Sequence, residues 1–272
     1  MERLLVDLNL NSNSYFLKKL IPPDYLYQNG TFRKVTREGI NYNLDISHVV
    51  EHYIYFGISD SDYSTLIDSI QNAKVILDIG ANICSKSMLF STLNPSARIL
   101  SFEPHPVTYK KALANLKLNH FENIELHNLG LGDKKEVVKL FEVNQHNPGM
   151  NRILNHDTEF PYIEIEVDLL ETVMLQNAVD KIDFVKIDVE GYEYAVLKGG
   201  EEIIKLSKPI IFLELDDKNL KENSQSASQL IELLESFGYN KFIRADQNLE
   251  VNSKSNLENC HFDLIAEYEG LE

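Results

Sequence analysis

Hydrophobic positions change rhythm along the chain near residue 73. Downstream, short runs rich in β-branched residues alternate with stretches whose apolar residues recur every three to four positions. The runs predict buried strands and the recurrences predict amphipathic helices. KVILDIG is a strand and KSMLFSTL a helix; ARILSFEP is a strand and VTYKKALANLKLN a helix. NIELHNLGLG reads as one strand, and VVKLFEV and YIEIEVDLL as extended runs around a polar loop. DFVKIDVEG is a strand, YEYAVLKGGEEIIKLS a single helix, KPIIFLELDD a strand and SASQLIELLESFG a helix. YNKFIRAD and HFDLIAEY close the chain as two strands, which predicts an antiparallel hairpin. Such alternation builds βαβ units, hence an α/β domain with a mostly parallel sheet covered on both faces. Ligands of such sheets sit beyond the carboxyl ends of the strands, at the switch point.

Residues 1–72 lack this rhythm. LLVDLNLNSNSYFLKKLI predicts one or two short helices ended by Pro22-Pro23. FRKVTREGINYNLDI predicts a hairpin turning at Glu38-Gly39, and HVVEHYIYFG and DYSTLIDSI predict helices. The expected organisation is an N-terminal helix/hairpin extension over 1–72, acting as lid or interface, and an α/β domain over 73–272.

Length and charge narrow the possibilities. The 272 residues suffice for one large core with a modest extension. A net charge of −16 makes nucleic acid a poor partner. No run approaches the ~20 apolar residues of a membrane span. MERLLVDLNL has neither the basic start nor the apolar run of a signal peptide, so the cytoplasm is expected. Cys84 and Cys260, the only cysteines, form neither a zinc pattern nor a disulfide framework.

The first downstream strand ends in Asp78-Ile79-Gly80-Ala81-Asn82. Gly80 permits a sharp turn and close approach of a ligand to the backbone. The next strand ends in Glu103, 23 residues after Gly80. An acid about 20 residues on is placed to grip two ribose hydroxyls. A dinucleotide fingerprint would have glycine at positions 82 and 85, where this chain has Asn82 and Ser85. Side chains there favour a nucleoside ligand without a pyrophosphate, such as S-adenosylmethionine; the bland alternative is a plain βα turn.

At these residues the chain resembles the FkbM family of methyltransferases, from about Val75 to Tyr239. The landmarks are Asp78-Ile-Gly-Ala-Asn82, Phe102-Glu-Pro104, the Asn115…Asn119 helix end, Leu131-Gly-Asp133, Val167-Asp-Leu169, Lys186-Ile-Asp-Val-Glu-Gly-Tyr-Glu193, Leu197-Lys-Gly199 and Pro209-Ile-Ile-Phe-Leu-Glu214. The resemblance implies a Rossmann-like, seven-stranded class I methyltransferase sheet with an antiparallel last strand. It also implies methyl transfer to hydroxyl oxygens of sugars or other small metabolites. One departure is Cys84, where the family usually has glycine; its side chain is expected to narrow the room beside the methionine moiety.

Resemblance and strand position together assign Asp78, Gly80, Ala81, Asn82 and Glu103 to the cofactor. Glu103 is expected on the ribose, Asp78 toward the methionine ammonium, and Asp133 near the adenine. Lys186, Asp188 and Glu190, with Glu214 at the next strand's tip, are the catalytic candidates. Crowded carboxylates raise at least one pKa or pair with a cation, and a poised carboxylate can take a hydroxyl proton. Acids opening a helix also occur merely to complement its dipole. Glu193, His52 and Tyr53 are candidate acceptor contacts, with His48 beside them, and the polar loop between Phe141 and Phe160 is a candidate substrate wall. The acids could bind Mg²⁺, but nothing in the pattern requires a metal. The aromatic N-terminal segment (Tyr15, Phe16, Tyr25, Tyr27) leaves a homo-oligomer open. A nucleic-acid or protein methyltransferase, and a binding module that has lost turnover, are the competing readings.

Overall fold

A computed structural model of the chain describes residues 20–58, 66–144, 146–156 and 158–270. The helices expected before Leu20, and the DYST of the DYSTLIDSI run, lie outside the described residues. The N-terminal part contains the hairpin β1 (Phe32–Arg37) and β2 (Ile40–Asp45), then helices α1 (Val49–Phe56) and α2 (Ile67–Asn72). There follow β3 (Val75–Ile79), α3 (Ser85–Leu93), β4 (Arg98–Phe102), α4 (Pro106–Leu118), β5 (Ile124–His127), β6 (Gly130–Gly132), β7 (Glu136–Phe141), β8 (Arg152–Ile153) and β9 (Tyr162–Leu169). The rest comprises α5 (Leu170–Gln176), β10 (Phe184–Ile187), α6 (Glu193–Lys198), α7 (Glu201–Ser207), β11 (Ile210–Asp216), α8 (Asp217–Glu222), α9 (Ala227–Ser236), β12 (Lys241–Arg244), β13 (Leu249–Glu250) and β14 (His261–Glu267).

The main sheet has the order β5-β4-β3-β10-β11-β14-β12-β13. Strands β5, β4, β3, β10 and β11 run parallel. Strand β14 lies antiparallel between β11 and β12. The expected seven strands with a reversed last one are therefore present, and β13 adds a two-residue edge beside β12. From β3 the chain steps outward to β5 and later returns to β10 on the other side of β3. That reversal opens a crevice at the strand tips.

Both faces of the sheet are covered, as the apolar runs require. Neighbouring residues in each strand enter opposite cores: Leu77, Leu100, Val185 and Ile211 pack with α5 to α9. Ile76, Ile99, Phe184 and Phe212 pack with α2 and α3. The β1–β2 hairpin has its own apolar cluster, which reaches Ile83 and Met88. Its edge strand docks on α4 through side-chain amides. Asn119 accepts from the Asn41 N–H at 2.8 Å and donates to the Asn41 carbonyl at 2.8 Å, and Asn115 accepts from the Asn43 N–H at 3.0 Å.

Three expectations need correction. NIELHNLGLG is not one strand: β5 ends at His127, and the Asn128 amide donates to the Glu103 and Pro104 carbonyls at 2.9 and 2.8 Å. The chain then enters a second, four-stranded sheet of order β6-β9-β7-β8. The single helix expected over 192–207 is broken between α6 and α7. At Gly199 an added Cβ would lie 1.8 Å from the Gly132 carbonyl oxygen, so helix and sheet meet backbone to backbone. Helices α5 and α8 were not expected. The first hides behind the strand-like VDLL; the second, DKNLKE, has no apolar stripe and is started by Asp216, which accepts from the Lys218 and Asn219 N–H groups.

Candidate active site

The turn after β3 is held by its neighbours. Gly80 has φ 78°, and a Cβ there would lie 1.8 Å from the Asp188 carbonyl oxygen at the end of β10. The Gly80 and Ala81 N–H groups both donate to the Phe102 carbonyl, at 3.0 and 2.9 Å. Asn82 and Cys84 also lie in the left-handed region, at φ 50° and 62°. Cys84 is the residue before α3 and is fully buried; it packs on Ala81 and Ala112. Its left-handed backbone explains why glycine suits this position. Burial pushes its thiol far up, so it is no nucleophile. Contrary to the expected crowding, Cys84 does not line the cleft.

Strand β4 ends at this turn, with Glu103 just beyond it. Glu103 is buried, lines the cleft, and accepts from the Asn82 N–H at 3.0 Å and the His105 N–H at 2.8 Å. A carboxylate has capacity for further donors beyond these two. Burial pushes Glu103 up to about 7, against the pull of the two N–H bonds and of Lys186. His105 also lines the cleft; its Nδ1 caps α4, and its Nε2 lies 3.2 Å from Glu142.

Gly80, Asn82, Glu103, His105, Asp188, Glu190 and Glu214 line one cleft. Asn147, Pro148, Gly149 and Asn151 of the polar loop form a wall, together with Val50 of α1. The side-chain oxygens of Asn147 and Asn151 are buried without a hydrogen-bond partner. With almost no accessible surface, these oxygens are turned into the wall rather than toward the cleft.

Within it, Asp188, Glu190 and Glu214 bring one oxygen each within 4.8 Å of one another. That spacing lets the three oxygens converge on one bound group, such as a divalent cation. Glu190 is pushed up to about 8 by burial and by Asp188, while Arg152 pulls it down. Burial, then Asp188 and Glu190, raise Glu214 well above the carboxylate range. Asp188 has Lys186 beside it, at 3.3 Å. Asp188 and Glu190 share the cleft as expected, but not as neighbours in an extended run. Strand β10 ends at Ile187, and Glu190 has φ 54°.

Other expected site residues lie behind or beside the cleft. Asp78 is fully buried; Ser87 donates to it, and Lys186 is 3.4 Å away. Lys186 donates to the Gly80 carbonyl at 2.9 Å, so it braces the turn from below. Neither residue is among those that line the cleft, nor is Ala81. Glu193 is buried and accepts from the Val189 and Gly191 N–H groups at 3.1 and 3.2 Å. It shapes the loop before α6, and burial raises it to about 7. Asp133 is exposed, at the end of β6. On α1, Val50 faces the cleft, and ~100° per residue carries His52 to the other side. His52 is buried against Phe56, with Nε2 2.8 Å from the Pro22 carbonyl. Tyr53 is part exposed, and His48 lies 3.1 Å from Glu51. Arg152, Asn219 and His261 surround the acids and were not anticipated. His261 lies 2.7 Å from Asp216 and 3.4 Å from Glu214. All three stand outside the motif-bearing stretches.

Comparison with known proteins gives the family. The family model described as the methyltransferase FkbM domain matches residues 78–241. The chain belongs to the FkbM methyltransferase family. It is similar to the 2-O-methyltransferase NoeI of Sinorhizobium fredii, with 29% identity over 182 residues, 60% of this chain and 72% of that one. It is also similar to Methyltransferase sdnD of Sordaria araneosa, with 27% identity over 188 residues, 58% of this chain and 71% of that one. Among solved structures, the FkbM methyltransferase of Methylobacillus flagellatus matches with a TM-score of 0.47 and 17% identity, covering 80% of this chain and 52% of that chain. Among the described residues, no helix is long and apolar enough to cross a membrane.

Proposed function

We propose that this FkbM-family chain transfers a methyl group from S-adenosylmethionine to a hydroxyl oxygen of a small molecule or sugar. The observation that carries this reading is the cleft itself. A glycine turn, a buried glutamate and three carboxylates line one cleft, with Asn147, Pro148, Gly149 and Asn151 as a wall. Glu103, with its remaining acceptor capacity, would take the ribose hydroxyls. Gly80 and Asn82 would leave room for a nucleoside but crowd a pyrophosphate.

Bound there, the cofactor supplies a methyl group that is already electrophilic. The chain's own residues need only hold the acceptor oxygen in line and remove its proton. The proton passes to one of Asp188, Glu190 and Glu214, of which Glu190, pushed up to about 8, suits a base near neutral pH. One relative, NoeI of Sinorhizobium fredii, is a 2-O-methyltransferase, which agrees with an oxygen acceptor.

The test uses S-adenosylmethionine labelled in the methyl group and a panel of neutral monosaccharides, amino sugars and polyols. Label should enter at least one member as a base-stable methyl ether, and Glu190→Gln should slow transfer ~10²-fold or more. Label recovered only on nitrogen, or as a base-labile ester, would contradict the assignment.

A further inference from the structure

We infer that Arg152 and Asn219 are positioning residues that hold Glu190 at the rim of the cleft, acting on the acceptor through that carboxylate. This role in turnover rests on the reading that the acid-lined end receives the acceptor. The hold on Glu190 itself does not depend on that reading.

The contacts form a closed fan. The Arg152 Nη1 donates to the Asn219 side-chain oxygen at 2.6 Å, and its Nη2 lies 3.5 Å from Glu190 Oε2. The Asn219 amide nitrogen donates to the same Glu190 Oε2 at 2.9 Å. Asn219 therefore accepts from the guanidinium and donates to the carboxylate, and this fixes its amide orientation. The Arg152 Nε also donates to the Met150 carbonyl at 3.3 Å, which ties the fan to the polar loop. Arg152 itself does not line the cleft, whereas Asn151 and Ile153 on either side do. In an extended segment, successive side chains point to opposite sides, so the guanidinium stands behind the wall.

The backbone shows that Glu190 needs holding. Its φ of 54° is strained for a residue with a side chain. Gly191 follows at φ 98°, and a Cβ there would lie 2.4 Å from the Asn219 carbonyl oxygen. The loop is thus seated directly on α8. Asp188 on the same loop, Glu193 at the start of α6, Asp216 at the end of β11, and Glu214 nearby all oppose a charge on Glu190. Arg152 attracts it, so the fan aims the carboxylate and favours its ionised form.

The test reads Glu190 directly, with no acceptor present. In full-length protein labelled with ¹³C at the glutamate carboxyls, the resonance lost in Glu190→Gln identifies it. Its titration midpoint should lie well above the ordinary 4.5, toward about 8. Arg152→Gln should move it up by about one further unit, since an opposite charge within ~4–6 Å is worth that much. Asn219→Ala should move it in the same direction, and Arg152→Lys should restore most of the shift. S-adenosylhomocysteine affinity should stay within about twofold in all three variants, because neither residue lines the cleft. An unmoved Glu190 midpoint in both Arg152→Gln and Asn219→Ala would overturn the inference. So would a melting-temperature loss that Arg152→Lys corrects without moving the midpoint. Failure of wild-type protein to bind S-adenosylhomocysteine would count against the proposed function, and leave the effect on Glu190 measurable.

Discussion

At the scale of single residues, two positions carry sharp predictions. Cys84 combines full burial with a left-handed backbone. Cys84→Ala keeps the backbone strain and loses the sulfur's packing. Cys84→Gly loses more packing but removes a strain of roughly 1–2 kcal/mol. The glycine variant should therefore be at least as stable as the alanine variant, the reverse of the usual order inside a protein. Urea unfolding of the two variants decides it, and a glycine variant less stable by about 1 kcal/mol would contradict the strain. Glu103, pushed up to about 7, sets the second prediction. Ribose hydroxyls bond best to the ionised carboxylate, so S-adenosylhomocysteine should bind more tightly as pH rises from 6 to 8. Glu103→Gln should bind more weakly and show a flatter pH dependence, as titration calorimetry at the two pH values would reveal. Both positions were visible as motif residues, but only Glu103's place in the cleft could be anticipated. The positive φ of Cys84 needed the neighbouring strand tips in three dimensions. Lys186 and Asp78 were read as cleft groups because their motifs are short. The pleat instead buries them one layer below, where they brace the turn that the cleft uses.

At the scale of elements, strand alternation was legible because the parallel sheet is buried on both faces and its strands are apolar throughout. What stayed hidden depended on contacts distant in sequence. The break between α6 and α7 follows from the close approach of Gly199 to Gly132, 67 positions earlier in the chain. Gly199→Ala should cost ~1–3 kcal/mol or more, although alanine is the better helix former in isolation. An unchanged unfolding midpoint would show that the two backbones do not meet. Docking of the hairpin is a second case. The Asn119 amide pairs with both backbone groups of Asn41, as another strand would. Asn119→Ala leaves those groups unmatched and should speed amide exchange across β1 and β2 without altering exchange in β3. Equal protection of the hairpin in wild type and variant would contradict that docking.

For the whole molecule, pH couples the cleft to stability. Glu103 and Glu193 stand near 7 and Glu190 near 8, against 4.5 for the unperturbed group. Between about 4.5 and 8 the native state therefore holds protons that the unfolded chain releases. Their contribution is complete below about 4.5 and fades as pH rises toward 8. Asp45, Glu125, Asp168 and Asp217 shift the other way, and their contribution disappears only in acid. Burial lowers His52 and His127, so their contribution is lost as pH falls below about 6.5; above that value the raised acids set the slope, and stability should decline from pH ~6.5 to 8. A net charge of −16 adds repulsion in the same direction. Unfolding free energies that rise from pH 6.5 to 8 would contradict the buried, protonated acids.

The most direct test of the account is calorimetric titration of the wild-type protein with S-adenosylhomocysteine and, separately, with NAD. One molar equivalent of S-adenosylhomocysteine should bind with micromolar affinity, weakened at least tenfold by Glu103→Ala, and NAD should give no heat. Silence toward S-adenosylhomocysteine, or saturable binding of NAD in the same cleft, would contradict it.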